Sequence, residues 1–158
     1  MTARQRGFTL VEMAVVIAIV AILATSLVPL GAMTRQRAEE DELRHALRQI
    51  RDALDRYRRA GEEGLIERKI DGSGYPPNLR VLVEGVPDGR SADGRRLYFL
   101  RRIPRDPTFP DRGVAPEATW GLRSYASPPD APAPGSDVFD VHSLSSGIGL
   151  NGVPYRDW

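Results

Sequence analysis

Glu12 is the side chain whose chemistry most needs a reason. It is the last charge before Arg35, and everything between them, Met13 to Thr34, is uncharged and dense in aliphatic residues. A carboxylate at the centre of a membrane helix costs about 2.5 to 3.5 kcal/mol on insertion scales, so an acid in such a run is a functional candidate by default. Gly7 and Phe8 stand just before it, with Phe8 one helical turn away. Cleavage after Gly7 would create an α-amine on Phe8, a cation able to neutralise Glu12 at i to i+4 in its own helix or on a neighbouring helix. The second option turns an unfavourable charge into an assembly device, because a subunit whose Glu12 finds a neighbour's amine is drawn into a bundle. A glycine before the cut also suits a protease pocket, having no side chain to accommodate.

Three other constellations suggest chemistry and do not sustain it. Residues 147–152, Gly-Ile-Gly-Leu-Asn-Gly, spell a dinucleotide-binding fingerprint. That pattern needs a following helix to receive a pyrophosphate, and only six residues, Pro154 among them, come after it. His45 and His142 are the two histidines, on a charged helical stretch and an expected strand, with no neighbouring pattern for a triad or zinc site. Both read as structural or solvated. Arg105-Asp106 lies between Pro104 and Pro107, where a loop-fixing salt bridge or capping bond is the expected use. No catalytic residues are assigned, and the chain reads as structural, not as an enzyme.

Composition narrows the classes further. The net charge is +1, with acids and bases interleaved after residue 35 and no basic patch, which gives nucleic-acid binding no support. Cysteine is absent, excluding disulfides and thiolate metal sites.

These residues need elements to position them. Met13–Thr34 is long enough for a helix to span a bilayer core, and Arg4 and Arg6 favour a cytoplasmic N-terminus. A secretory signal peptide would have a shorter apolar run and no acid at its start. A plain single-span anchor accounts for the length but leaves Glu12 without a reason. Beyond Arg35, Leu43, Leu47, Ile50, Leu54 and Tyr57 recur at helical spacing as one apolar stripe. Glu40 with Arg44, Asp52 with Arg56, and Asp55 with Arg59 form expected i to i+4 pairs on the other faces. Gly61 is the expected C-terminal cap, so one helix is expected from about Phe8 to Ala60.

The remainder reads as a small head. Residues 61–75 are an expected loop, Pro76-Pro77 opens a short helix through Leu79, Leu82 and Val83, and 85–94 is a glycine-rich connector. Residues 97–100 fit a helical turn or a strand equally. Residues 103–107 must be extended or turning. Residues 119–125 and 138–143 are rich in aromatic and β-branched residues and are expected to pair antiparallel across a proline-rich loop. The stretch 145–158 reads as an ordered loop ending on a packed Trp158.

The N-terminus resembles the type IV pilin and pseudopilin family, through the basic leader ending in Gly7, the Phe8 that follows, Glu12 fifth after the cut and Pro29 at mature position twenty-two. Tyr75-Pro76, the Leu100 to Pro107 segment, Phe139 to Ser143 and Trp158 are most similar to the major pseudopilins of type II secretion. The resemblance implies removal of the leader by a prepilin peptidase, N-methylation of Phe8, and a role for Glu12 in assembly. It also implies a helix locally unwound near Pro29 and Gly31, which mark a helix kink. The implied fold is α+β: a long N-terminal helix, membrane-spanning in its first half and amphipathic in its second, packed on a small globular head with a short helix and a small antiparallel sheet. The expected divisions are a leader at 1–7, a transmembrane or filament-core helix at 8–34, its amphipathic continuation at 35–60 and a periplasmic head at 61–158.

The implied function is that of a structural subunit of the type II secretion pseudopilus, a homo-oligomeric helical filament that helps export folded proteins. Other pseudopilins, the prepilin peptidase, and the platform protein and ATPase of the machine are the implied partners. The implied location is the inner membrane, single pass, with the head in the periplasm. A minor pilin of a type IV pilus or competence system, or a membrane-anchored binding module, are the alternatives. One departure stands out. The family commonly binds calcium in the loop after the last strand, but Leu144 to Tyr155 contains no acid, and only Ser145, Ser146 and Asn151 offer side-chain oxygens. No cofactor is therefore expected, because calcium asks for about six to eight hard oxygens with several carboxylates.

Overall fold

In the computed structural model the described residues are 9–68 and 72–158, and of residues 24–30 only the backbone is described. The chain divides into two compact units, residues 1–38 and 39–158. Its first element is α1, Leu10–Glu62, 53 residues long.

In the first unit the described chain is α1 almost from its start. Thr9 precedes the helix and accepts the Glu12 amide on its hydroxyl at 3.2 Å, while its carbonyl accepts the Met13 amide at 3.1 Å. This is the bond an N-cap threonine supplies to a helix end whose first amides lack partners. Along the helix Val11, Ile17 and Ile22 each leave about two thirds of their surface exposed, as 69%, 67% and 66%. The helical backbone continues through Pro29 and Gly31, and the Gly31 carbonyl accepts the Thr34 hydroxyl at 2.9 Å.

The second unit is built on the rest of α1. Leu43, Leu47, Ile50 and Leu54 are buried, as the spacing predicts, with Ala46 and Ala53 between them. Tyr57 is packed against the same core but only partly buried. The helix ends differently from expectation. It runs to Glu62, and the cap is Gly64 rather than Gly61. Gly64 has φ +68°, its amide donates to Gly61 at 3.2 Å, and the Leu65 amide donates to Ala60 at 2.8 Å. Those two bonds are the Schellman pair, which requires a left-handed residue at that place.

Leu79, Leu82, Leu100, Trp120, Val138, Val141 and Tyr155 close over the stripe. Helix α2, Arg80–Glu84, contributes Leu82, with Leu79 at its N-cap. It starts after Asn78, whose side-chain oxygen accepts the Val81 amide at 3.2 Å, so Pro76-Pro77 leads into the helix without belonging to it. Strands β1, Val86–Pro87, and β2, Arg96–Leu97, pair antiparallel. The expected connector at 85–94 therefore contains half of a two-residue ribbon, and the ambiguous 97–100 begins as a strand. Arg96 closes the ribbon by donating to the carbonyls of Glu84 and Gly85.

The second sheet pairs β3, Trp120–Arg123, with β4, Asp140–Ser143, antiparallel, Trp120 facing Ser143 and Gly121 facing His142. Both strands are shorter than their expected spans. Thr119 closes a single 3-10 turn at 116–119. At the other end Ser124 and Tyr125 give their amides to Ala133 and the Asp137 carboxylate in the proline-rich loop. Trp120 and Val141 complete the core together with Leu100, Val138 and Tyr155. The Trp120 indole N–H, buried with its ring, donates to the Pro104 carbonyl at 2.8 Å, which ties the extended 103–107 segment to the sheet. The architecture is thus α+β, a long N-terminal helix and two small antiparallel sheets, where a single sheet is expected from sequence.

Candidate functional site

The residues with a reason to act lie in two places, and each is described on its own. At the N-terminal end, Gly7 and Phe8 lie outside the described residues. Glu12 is exposed and occupies the third position after the Thr9 cap. Thr-x-x-Glu at a helix start is the capping-box pattern, in which the acid also complements the positive end of the helix dipole. The bond shown is to the Glu12 main-chain amide, while the carboxylate, in the first turn of α1, complements the helix dipole, a local use that spacing in a hydrophobic run does not suggest. A glutamine would keep a side-chain oxygen for the capping-box pattern, whereas neutralisation of an amine requires the charge. Gly31, within the continuous helical backbone of α1, has open space where a Cβ would stand.

The membrane span expected over residues 8–34 is not shown by the structure. Among the described residues no helix is long and apolar enough to cross a membrane. The run from Met13 to Thr34 includes residues 24–30, whose side chains are outside the described set.

The second place is the segment 144–158 with the helix face beneath it. Residues 147–152 fold as a tight turn, not as a phosphate loop. Gly152, at φ +79°, donates its amide to Gly149 at 2.8 Å, Ile148 bridges Pro154, and a single 3-10 turn at Tyr155–Asp157 follows. Glu40 reaches this turn from α1. It is 3% exposed, and its Oε1 accepts the Leu150 amide at 2.7 Å and the Tyr155 hydroxyl at 3.2 Å. Its Oε2 lies 3.5 Å from Arg44. Arg44 in turn stacks on the Trp158 ring at 4.3 Å, and Arg51 donates to the main-chain oxygen of Trp158 at 2.9 Å and to Asp140 at 2.8 Å. Trp158 packs edge-on to Tyr155, with ring centroids 5.2 Å apart, as a packed final aromatic should.

The resemblance implies a calcium ion in this loop, which would need several oxygens free to face it. The Ser145 hydroxyl accepts the Gly147 amide, and the Asn151 side-chain oxygen accepts the Val153 amide. Asp157 is exposed, its carboxylate 3.6 Å from Arg156. The Gly147 and Val153 carbonyls accept the Tyr155 and Gly149 amides. Among the described residues no buried side-chain nitrogen or oxygen lacks a partner, and no three acids or histidines form a group that could hold a metal.

The histidines separate. His45 is exposed on α1. His142 is half-buried, its ring lying where a Cβ on Gly121 would stand, 2.1 Å from Nε2. Burial holds its pKa below the ordinary value; Asp140 raises it and Arg51 lowers it. Asp106 makes a capping bond, not a salt bridge with Arg105. Its Oδ1 accepts the Thr108 amide at 2.8 Å, while Arg105 reaches the carbonyls of Val114 and Asp111.

Sequence reasoning misses Glu40, reading it as a surface partner of Arg44. The sign was available: Glu40, Leu43, Leu47, Ile50 and Leu54 are spaced three, four, three, four, so the acid is in phase with the buried stripe. It also misses Arg51, and it misses Arg56, which donates to the Phe99 carbonyl at 2.8 Å and to the Asp52 carbonyl at 3.3 Å, not to the Asp52 carboxylate.

Comparison with known proteins adds to the geometry. The family model for the prokaryotic N-terminal methylation motif matches residues 2–28. The type II secretion system core protein G of Klebsiella pneumoniae is 33% identical over 108 residues, covering 66% of this chain and 69% of the relative. The protein of that name in Escherichia coli (strain K12) is 32% identical over 111 residues, 67% of this chain and 68% of its own length. In Dickeya chrysanthemi the corresponding protein is 27% identical over 157 residues, spanning 96% of this chain and 95% of the relative. No solved structure matches.

Proposed function

The chain belongs to the family of type II secretion system core protein G, and from that premise we propose that it is a structural subunit of the type II secretion pseudopilus, processed at its N-terminus and assembled through its N-terminal helix. The observation that carries the assembly step is Glu12, a lone acid at the start of a helix whose aliphatic side chains, Val11, Ile17 and Ile22 among them, stand exposed. Such a surface needs covering, by lipid before assembly and by neighbouring helices after it. The methylation motif over residues 2–28 supports cleavage after Gly7 by a prepilin peptidase and methylation of the Phe8 amine. That amine is the cation Glu12 requires on a neighbouring subunit, and pairing the two removes the cost of an unpaired acid among aliphatic side chains.

On this reading residues 8–34 hold the subunit in the inner membrane with its head in the periplasm. Pro29 with Gly31 supplies the place where the helix yields on leaving lipid. The partners are further copies of the chain, other pseudopilins, the peptidase, and the platform protein and ATPase that drive assembly. The role is mechanical, not catalytic. The head is read as independent of calcium, on the donor set of its loop.

Replacing Glu12 tests the assembly step, provided the two uses of the acid are separated. Glu12→Gln retains the capping-box oxygen and removes the charge, while Thr9→Ala removes the cap and keeps the charge. The expected result is loss of filaments, and of secretion, with Glu12→Gln and their retention with Thr9→Ala, scored by electron microscopy and exoprotein release. Filaments from Glu12→Gln would overturn the neutralisation step.

A further inference from the structure

We propose that Glu40 is an internal carboxylate latch, a positioning residue that closes the 144–158 segment onto α1 in place of the cation that the family resemblance implies. The inference rests on the geometry of the head alone and stands apart from how the subunits assemble.

The segment has little reason to hold one shape by itself. It contains Gly147, Gly149 and Gly152, and its turn buries few apolar side chains, with Ile148, Leu150 and Val153 all exposed. Glycine-rich chain loses much conformational freedom on ordering, so strong tethers are needed. One face of α1 provides them. Glu40, Arg44 and Arg51 stand at i, i+4 and i+11, and each engages the segment, through Leu150 and Tyr155, the Trp158 ring, and the Trp158 main-chain oxygen respectively.

The polarity of the bonding is what makes this a latch by carboxylate. A cation gathers oxygens, so a loop built around one turns its carbonyls inward. Here the carbonyls of Gly147, Gly149 and Val153 are spent on the amides of Tyr155, Gly152 and Gly149, and the group at the centre gathers hydrogens instead. Glu40 collects one amide and one phenol on a single oxygen, in a place where only 3% of its surface meets water. Hydrogen bonds to a charged acceptor are about twice as strong as neutral ones. Removing that acceptor would take from the Tyr155 hydroxyl and the Leu150 amide the bonds they make to Glu40, while the β3–β4 ladder keeps its own bonds.

Amide hydrogen exchange on the full chain in detergent, read by mass spectrometry, tests this. In Glu40→Ala, exchange across residues 147–157 is expected to accelerate about tenfold, with 120–123 and 140–143 unchanged. Wild-type exchange in 147–157 should be the same in millimolar calcium and in chelator. Unchanged exchange in Glu40→Ala, or calcium slowing wild-type exchange in that segment, overturns the proposal. If Glu40→Ala unfolds throughout, Glu40→Gln decides: it keeps an oxygen for the Leu150 amide but loses the charge, and a smaller acceleration confined to 147–157 is expected. No acceleration in Glu40→Gln overturns the latch.

Discussion

The Asp106 carboxylate, with none of its surface exposed, accepts the Ser143 hydroxyl at 2.5 Å across 37 residues of chain. Its other oxygen accepts the Thr108 amide and hydroxyl, and the Asp106 N–H donates to the Thr119 hydroxyl at 3.1 Å. A buried charge is held here by hydroxyls and an amide and joins the 104–108 segment to β4. Substituting Asp106 by Ala strands several of those donors in the core, which costs about 2 to 3 kcal/mol. Asp106→Asn keeps one acceptor and should cost less. Urea unfolding of the two variants against wild type measures both, and equal stability of all three would contradict the role.

The helix cap gives a paired prediction. Gly64→Ala places a Cβ on a left-handed residue and should destabilise the protein by about 1 kcal/mol, although nothing lies within 4 Å of that Cβ. Gly61→Ala sits inside the helix, with its nearest neighbour 3.9 Å away, and should be neutral or slightly stabilising. Thermal melts of the two variants distinguish them, and a reversed order would restore Gly61 as the cap.

Gly121 is required by its partner strand. An added Cβ would meet the His142 ring at 2.1 Å, so Gly121→Ala should cost about 1 to 3 kcal/mol, the range of overpacked sites. With His142→Ala already in place, most of that cost should vanish, because the obstruction is the ring and not the backbone. A double-mutant cycle on unfolding free energy checks this, and full additivity of the two substitutions would refute it.

His142 also predicts a pH dependence. Burial, aided by Arg51 and opposed by Asp140 and Asp157, depresses its pKa below the ordinary 6.5. The folded state therefore binds fewer protons than the unfolded one as pH falls. The stability associated with neutral His142 is fully present above the unfolded pKa and is lost as pH falls from there through the folded value. Melting temperature should drop more between pH 8 and pH 5 in wild type than in His142→Gln, by an increment attributable to this site. Parallel acid curves for the two proteins would remove it.

What could be read in advance was what is local or periodic. The stripe from Leu43 to Leu54 announces itself because one helix face must be apolar to cover a core, and the strand pair because residues 119–125 and 138–143, which contain it, are rich in β-branched and aromatic residues such as Thr119, Trp120, Val138 and Phe139. The leader motif is legible because its residues sit at fixed short spacing. Asp106 was not, since the groups that make its burial tolerable come from Thr108, Thr119 and Ser143, which only the fold brings together. Glu40 was misread for a related reason: Arg44 at i+4 offers a sufficient local partner, while Leu150 and Tyr155 lie 110 and 115 residues away. Val86–Pro87 was invisible as a strand because two residues, one a proline, carry no period.

The proposed assembly step depends on cleavage between Gly7 and Phe8, which would create the amine that Glu12 requires. Intact-mass analysis of the protein purified from native membranes tests it most directly. The expected mass is that of a chain beginning at Phe8 with one added methyl group. A protein that still carries residues 1–7 in cells with an active secretion machine would contradict it.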